Sequence, residues 1–148
     1  MVRMSSYFNV VAFASCFAIS AAAADIGQIK ISKGSVTVER GPARSLAGVV
    51  GMRLQTSDVI TTGADGSVGI TMSDDSLLSA GPNSALSLDR FAFDSTTQRG
   101  QFDASLRKGS LSVISGRIAK QSPDAMTLHT PSAILGIRGT EFVVSVDD

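Results

Sequence analysis

The chain has 148 residues, with thirteen Lys/Arg against thirteen Asp/Glu, a formal net charge of zero, and only 18% charged residues. The charges are interspersed rather than blocked, which excludes a basic stripe for nucleic acid and a polybasic patch for anionic lipid. This length supports one domain with one modest core.

Residues 1–24 read as a secretory signal peptide. Arg3 is their lone charge, residues 8–19 are an apolar core, and four alanines precede Asp25. The apolar stretch falls short of the ~20 residues a membrane helix needs, so no membrane anchor is expected in the mature chain. Cys16 lies in Phe13-Ala14-Ser15-Cys16, which loosely imitates a lipidation box. Phe13 is bulky where leucine is usual, and lipidation would leave residues 17–24 on the mature protein. Cys16 therefore reads as part of the signal core. Its removal leaves no cysteine, hence no disulfide. From Asp25 onward twelve basic residues face thirteen acidic ones, and periplasmic or secreted localisation is expected.

The mature chain then alternates polar and apolar residues in short runs. Ile29 and Ile31, Val36 and Val38, and Val68, Ile70 and Met72 each alternate with polar or small partners, as do Leu86 and Leu88, Leu111 and Val113, and Met126 and Leu128. A period of two is the signal of half-buried strands. Turn residues separate the runs at Lys33-Gly34, Arg40-Gly41-Pro42, residues 63–66, 73–75, 81–83 and Lys108-Gly109. No stretch shows a capped amphipathic helix, so a single all-β domain over residues 25–148 is expected. One motif recurs: Gly34-Ser35-Val36, Gly66-Ser67-Val68 and Gly109-Ser110-Leu111 each read Gly-Ser-apolar. Its reuse points to similar turns in a coiled or rolled sheet, though the spacings are unequal.

Residues able to carry chemistry are few. His129 is the single histidine and stands beside Thr130-Pro131; with no placed nucleophile or orienting acid, a strand-end residue is the simpler reading. With no second histidine and no mature cysteine, zinc is not expected. Asp74-Asp75 and Asp147-Asp148 lack calcium-loop spacing and read as turn formers. No Gly-x-Ser-x-Gly elbow and no phosphate loop occurs, so neither enzymatic activity nor a cofactor is expected. Phe91 and Phe93, two apart and ringed by charges, fall on one face of a strand. Core burial is the first reading, and a contact patch the second.

The closing stretch is the most distinctive. Thr130-Pro131 forces extended backbone, then Ala133-Ile134-Leu135 leads into Gly136-Ile137-Arg138-Gly139-Thr140-Glu141-Phe142 and a β-branched run. Arg138, between Ile137 and Gly139, is expected to pack its stem half-buried, with its fork on carbonyl oxygens or a carboxylate. This pattern resembles the closing motif of the FecR domain, a bacterial periplasmic β-domain. Residues 56–63 (TSDVITTG) resemble that family's opening segment, with Ser57 where glycine is usual, and residues 75–88 resemble its middle. The resemblance spans about residues 35–146.

The resemblance implies a β-solenoid-like, twisted roll of two sheets of short strands. The motif residues Thr130, Pro131, Gly136, Arg138, Gly139, Thr140 and Phe142 are expected to be architectural, the glycines allowing a tight bend, with recognition by Gly136, Arg138, Gly139 and Thr140 as the weaker alternative. In that family such domains occur in regulators relaying an outer-membrane signal to a sigma factor. A cleavable signal peptide does not suit the relay itself, so what carries over is an exported platform for an envelope protein or ligand. The alternative is a structural or adhesive envelope component that binds surface glycan. Residues 142–146 are strongly strand-forming, and a place between two earlier strands is expected for them; a bare side would point to truncation, self-association or a partner strand.

Overall fold

The computed structural model describes residues 24–138 and 141–147. The signal peptide expected before them, and Gly139, Thr140 and Asp148, lie outside this range, apart from Ala24. The strands are β1 (Gly27–Lys33), β2 (Val36–Glu39), β3 (Ser45–Ala47), β4 (Arg53–Leu54), β5 (Val59–Thr62) and β6 (Ser67–Met72). They continue with β7 (Leu77–Ala80), β8 (Ala85–Phe93), β9 (Gly100–Ile114), β10 (Met126–His129), β11 (Ile134–Gly136) and β12 (Glu141–Val146). One short helix, α1 (Arg117–Gln121), follows β9.

The twelve strands of the described residues join one curled sheet whose two halves share β9. In the first half the order is β4-β1-β6-β7-β9-β12; in the second it is β3-β2-β5-β8-β9-β10-β11. β9 reaches both because its inward phase slips. Phe102, Ala104 and Leu106 are buried, then Leu111 and Val113, so an extra residue is absorbed around Lys108-Gly109. Its first part pairs with β8 and its last with β7.

Four of the places where the chain changes halves are corners of one kind: residues 34–35, 63–66, 81–84 and the bend at Gly109. β1, β6, β7 and β9 neighbour one another in the same order as β2, β5, β8 and β9, so the corners stand in a row. Hydrogen bonds run down that row. The Gly63 amide donates to the Ser35 carbonyl (2.9 Å), the Asn83 amide to the Gly63 carbonyl (3.0 Å), and the Gly81 amide to the Ser110 carbonyl (3.1 Å). Every copy of the Gly-Ser repeat lies at a corner. Along the row, alternate corners carry the chain in opposite directions, and every ladder is antiparallel except β9 with β10. The parallel rungs of a solenoid coil are not what these pairings form among the described residues.

The core between the halves is aliphatic. Ile29, Val38, Leu54, Ile60, Leu86, Leu88, Leu106 and Leu111 are essentially inaccessible to solvent, with Phe102 the one fully buried ring among the described residues. Each such side chain contributes roughly 1.5–3 kcal/mol of burial. α1 departs from the expectation of no helix, and its cause lies outside its own sequence. Gly116 offers no side-chain cap, and the buried Asp74 carboxylate accepts the Ile118 amide instead (3.3 Å). Ile118 and Ala119 then plug the core. Such a cap in trans is invisible to helix-start rules.

Ser57, the departure from glycine in the opening segment, has φ of 73°. This left-handed conformation penalises a Cβ by roughly 1–2 kcal/mol. Ser57→Gly is accordingly expected to raise unfolding free energy by about 0.5–1 kcal/mol, after the extra freedom glycine gives the unfolded chain. Urea denaturation measures this directly, and an unchanged or lowered midpoint would refute it.

Candidate functional site

The closing motif forms a hairpin and its exit. Thr130 and Ala133 close the turn between β10 and β11: the Thr130 amide donates to the Ala133 carbonyl (2.8 Å), and the Thr130 hydroxyl accepts the Ala133 amide (3.1 Å). Pro131 is exposed at the tip. Ile137 is the anchor, 4% exposed, and its amide donates to the Met126 carbonyl (3.0 Å). Two expectations are corrected here. Arg138 is not half-buried: its side chain is 77% exposed and pairs with an equally exposed Asp124 (2.9 Å). Because Ile137 turns inward, its neighbour must turn out. Gly136 answers to no close contact, since a Cβ there would meet open space. Gly139 and Thr140 fall outside the described residues.

An exposed ion pair of this kind contributes little. Arg138→Ala is expected to move the unfolding free energy by less than about 0.5 kcal/mol. A loss above about 2 kcal/mol in a thermal or urea melt would show that the side chain has a structural partner.

Phe142 leads the inward face of β12. Phe142, Val144 and Val146 stand opposite Val113, Leu111 and Gly109 of β9 and pack on the core half-buried, while Val143 points out and is 70% exposed. β12 was expected between two strands. Among the described residues it pairs with β9 alone, because the other side of β9 is already taken by β7. β12 is an edge strand.

Phe91 and Phe93 are half-buried and packed on the core, the ring of Phe91 lying edge-on to that of Phe102 with centroids 5.4 Å apart. Beside them, the outer face of the second half carries Ser87, Ser105 and His129 in one row across β8, β9 and β10. Asp89, at a bulge in β8, accepts the hydroxyls of Ser87 (2.7 Å) and Ser105. His129 hydrogen-bonds to neither Ser105 nor Asp89, so the imidazole is not aligned as a base on the serine. It lines a shallow depression of about 260 Å³ with Arg107 and Pro131. Among the described residues no three His, Cys, Asp or Glu side chains converge to hold a metal.

Sequence reasoning missed two buried carboxylates. Asp74 accepts the Ser76 amide (3.1 Å) and hydroxyl (2.8 Å) besides capping α1. Asp58, in the opening segment, is gripped by Arg40 through Nε (2.9 Å) and Nη2 (2.7 Å) and accepts the Gln55 amide (2.9 Å). Arg40 also donates to the Arg53 carbonyl on β4 (2.9 Å). The hydrogen bond to Asp58, helped by the charges of Asp58 and Asp25 and opposed by burial, holds the Arg40 pKa above the ordinary arginine value. An aspartate ahead of a β-branched run in a turn was the available signal for Asp58.

No helix among the described residues is long and apolar enough to cross a membrane. No curated protein and no solved structure matches the chain. A family model described as FecR protein matches residues 58–148, beginning at the gripped aspartate and running through the last three corners, the hairpin and the edge strand. FecR domains are typically signalling-related domains of the periplasm and cell envelope, which places this chain coarsely among signalling modules. With more than half of its length matched, the chain belongs to the FecR family.

Proposed function

We propose that this protein is an exported, non-catalytic FecR-type module that works by binding another envelope protein in a signalling-related assembly. The family match carries the reading. The outer-face polar row supports the absence of catalysis, since the Ser105 hydroxyl is committed to Asp89 and His129 is not joined to it. Export rests on the lone Arg3, the apolar core and the alanine run before Asp25. Mass spectrometry of the mature protein should find Ala24 or Asp25 first, and an intact Met1 or a lipid on Cys16 would overturn export.

The binding role is tested by photo-crosslinking in intact envelopes. A discrete, saturable protein adduct is the expected result. A specific glycan-array signal without any protein adduct would instead favour an adhesive component, and turnover of a substrate panel would overturn the non-catalytic reading.

A further inference from the structure

The two halves of the sheet are built alike up to one strand. Beyond β9 the second half continues with β10 and then β11, whereas the first half continues with β12 and, among the described residues, goes no further. Among the described residues no strand occupies the position equivalent to β11. On its near side Phe142, Val144 and Val146 present an apolar row that is only half-buried, although their partners Val113 and Leu111 on β9 are fully buried. Their half-exposure marks where the core lacks cover. The edge carries no proline, bulge or lysine, the devices that normally protect such strands.

We infer that the free edge of β12 takes up one extended strand from a partner protein, with apolar residues at alternate positions and basic residues at both ends. This deepens the interaction reading above and rests on it. Backbone pairing along six residues would supply affinity, and the alternate apolar side chains would complete the core face begun by Phe142, Val144 and Val146. Charge selects the ends. Glu141 and Asp147 bound the strand, both are exposed, and no basic residue lies between them.

The same charges disfavour a second copy of this chain. Two copies pairing antiparallel, with both apolar rows on one face, need a two-fold axis through a residue. Through Val144 the axis sets Glu141 opposite Asp147 twice, and like charges directly opposite are destabilising. Through Val143 it avoids that clash but leaves Val146 beyond the first residue of the opposing strand.

The test uses the mature protein and the peptide Lys-Val-Thr-Val-Thr-Val-Lys, measured by titration and amide hydrogen exchange. The peptide should bind and slow exchange within residues 141–146. A peptide with glutamate in place of both lysines should bind about tenfold more weakly at low salt, since each end pair changes from opposite to like charge. The double variant E141K/D147K should reverse that preference. A peptide N-methylated at every valine and threonine, unable to donate ladder bonds, should not bind.

Absent binding, unaltered binding of the N-methylated peptide, protection elsewhere or an unreversed preference would each overturn the proposal. So would a dimer in light scattering whose amides at residues 141–146 are already protected from exchange without peptide, because the edge would then be taken by a second copy. A photoreactive residue at Ser145, compared with one at Ser79, separates this proposal from the broader reading. Partner adducts from Ser79 alone would sink the strand proposal and leave the module intact, whereas no adduct from any position would sink the module.

Discussion

Arg40→Met is expected to lower the unfolding free energy by about 3 kcal/mol, the low end of the cost of stranding a buried charge. The Asp58 side chain is 1% exposed and that of Arg40 only 23%, so little water can replace the guanidinium. Removing it leaves the Asp58 carboxylate with the backbone amide of Gln55 as its remaining donor. The Arg53 carbonyl also loses its Arg40 donor, which ties β4 of the first half to the end of β2 in the second, away from the row of corners. The effect is therefore on how the halves are held together, not on a single turn. The second variant, Arg40→Met with Asp58→Asn, removes the stranded charge and should recover more than half of the loss. Urea unfolding of the four proteins completes the cycle, and a coupling energy below about 0.5 kcal/mol would show that the pair is incidental.

The pH dependence of this pair follows from its sign. A base whose pKa is raised by folding stabilises fully below its unfolded pKa, and loses that contribution only as pH rises through the folded value. Arg40 starts from the ordinary arginine value and is raised above it. Its share of the stability is thus constant through neutral and mildly alkaline pH. Melts of wild type and Arg40→Met should keep a constant separation between pH 7 and about 10, because arginine stays protonated there.

What the sequence made legible was the local code. Strict alternation gave the strands, and every Gly-Ser repeat proved to be a corner, because a turn constrains its own residues. The rest depended on partners distant in sequence. Lys108-Gly109 looks like a turn between two strands, yet it is a bend within one, since only pairing with β7 and β8 shows that β9 is continuous. Asp74 caps a helix more than forty residues away, which no window of sequence contains. At the closing motif the pattern marked the right segment and misjudged its side chains. Alternation fixed by Ile137 sends Arg138 outward, and the open surroundings of Gly136 show that not every glycine in a distinctive motif is sterically required. The free edge of β12 was illegible for a further reason: which strand ends a sheet is a property of topology, not of the strand.

Gly109→Ala is expected to destabilise the protein by about 3 kcal/mol, through backbone strain of roughly 1–3 kcal/mol and a damaged hydrogen bond worth about 1 kcal/mol. Gly109 has φ of 89°, where an L side chain is strained, and its Cβ would run into Ser84. Ser84 cannot retreat freely. It is fully buried, its hydroxyl accepts the Ser110 amide (3.0 Å), and its own amide donates to the Thr62 hydroxyl (2.9 Å). Thr62 in turn donates to the Gly81 carbonyl (2.6 Å), so a displaced Ser84 loosens the third corner along with the fourth. The control is Gly136→Ala, in the closing motif, where φ is not positive and an added methyl meets nothing. That change should be neutral or stabilising by up to about 1 kcal/mol, because alanine restricts the unfolded chain. Urea melts of the two variants side by side make the comparison. Equal destabilisation would mean that the glycines act through strand propensity alone, whereas a gap of about 2 kcal/mol or more in the expected direction assigns Gly109 to the corner.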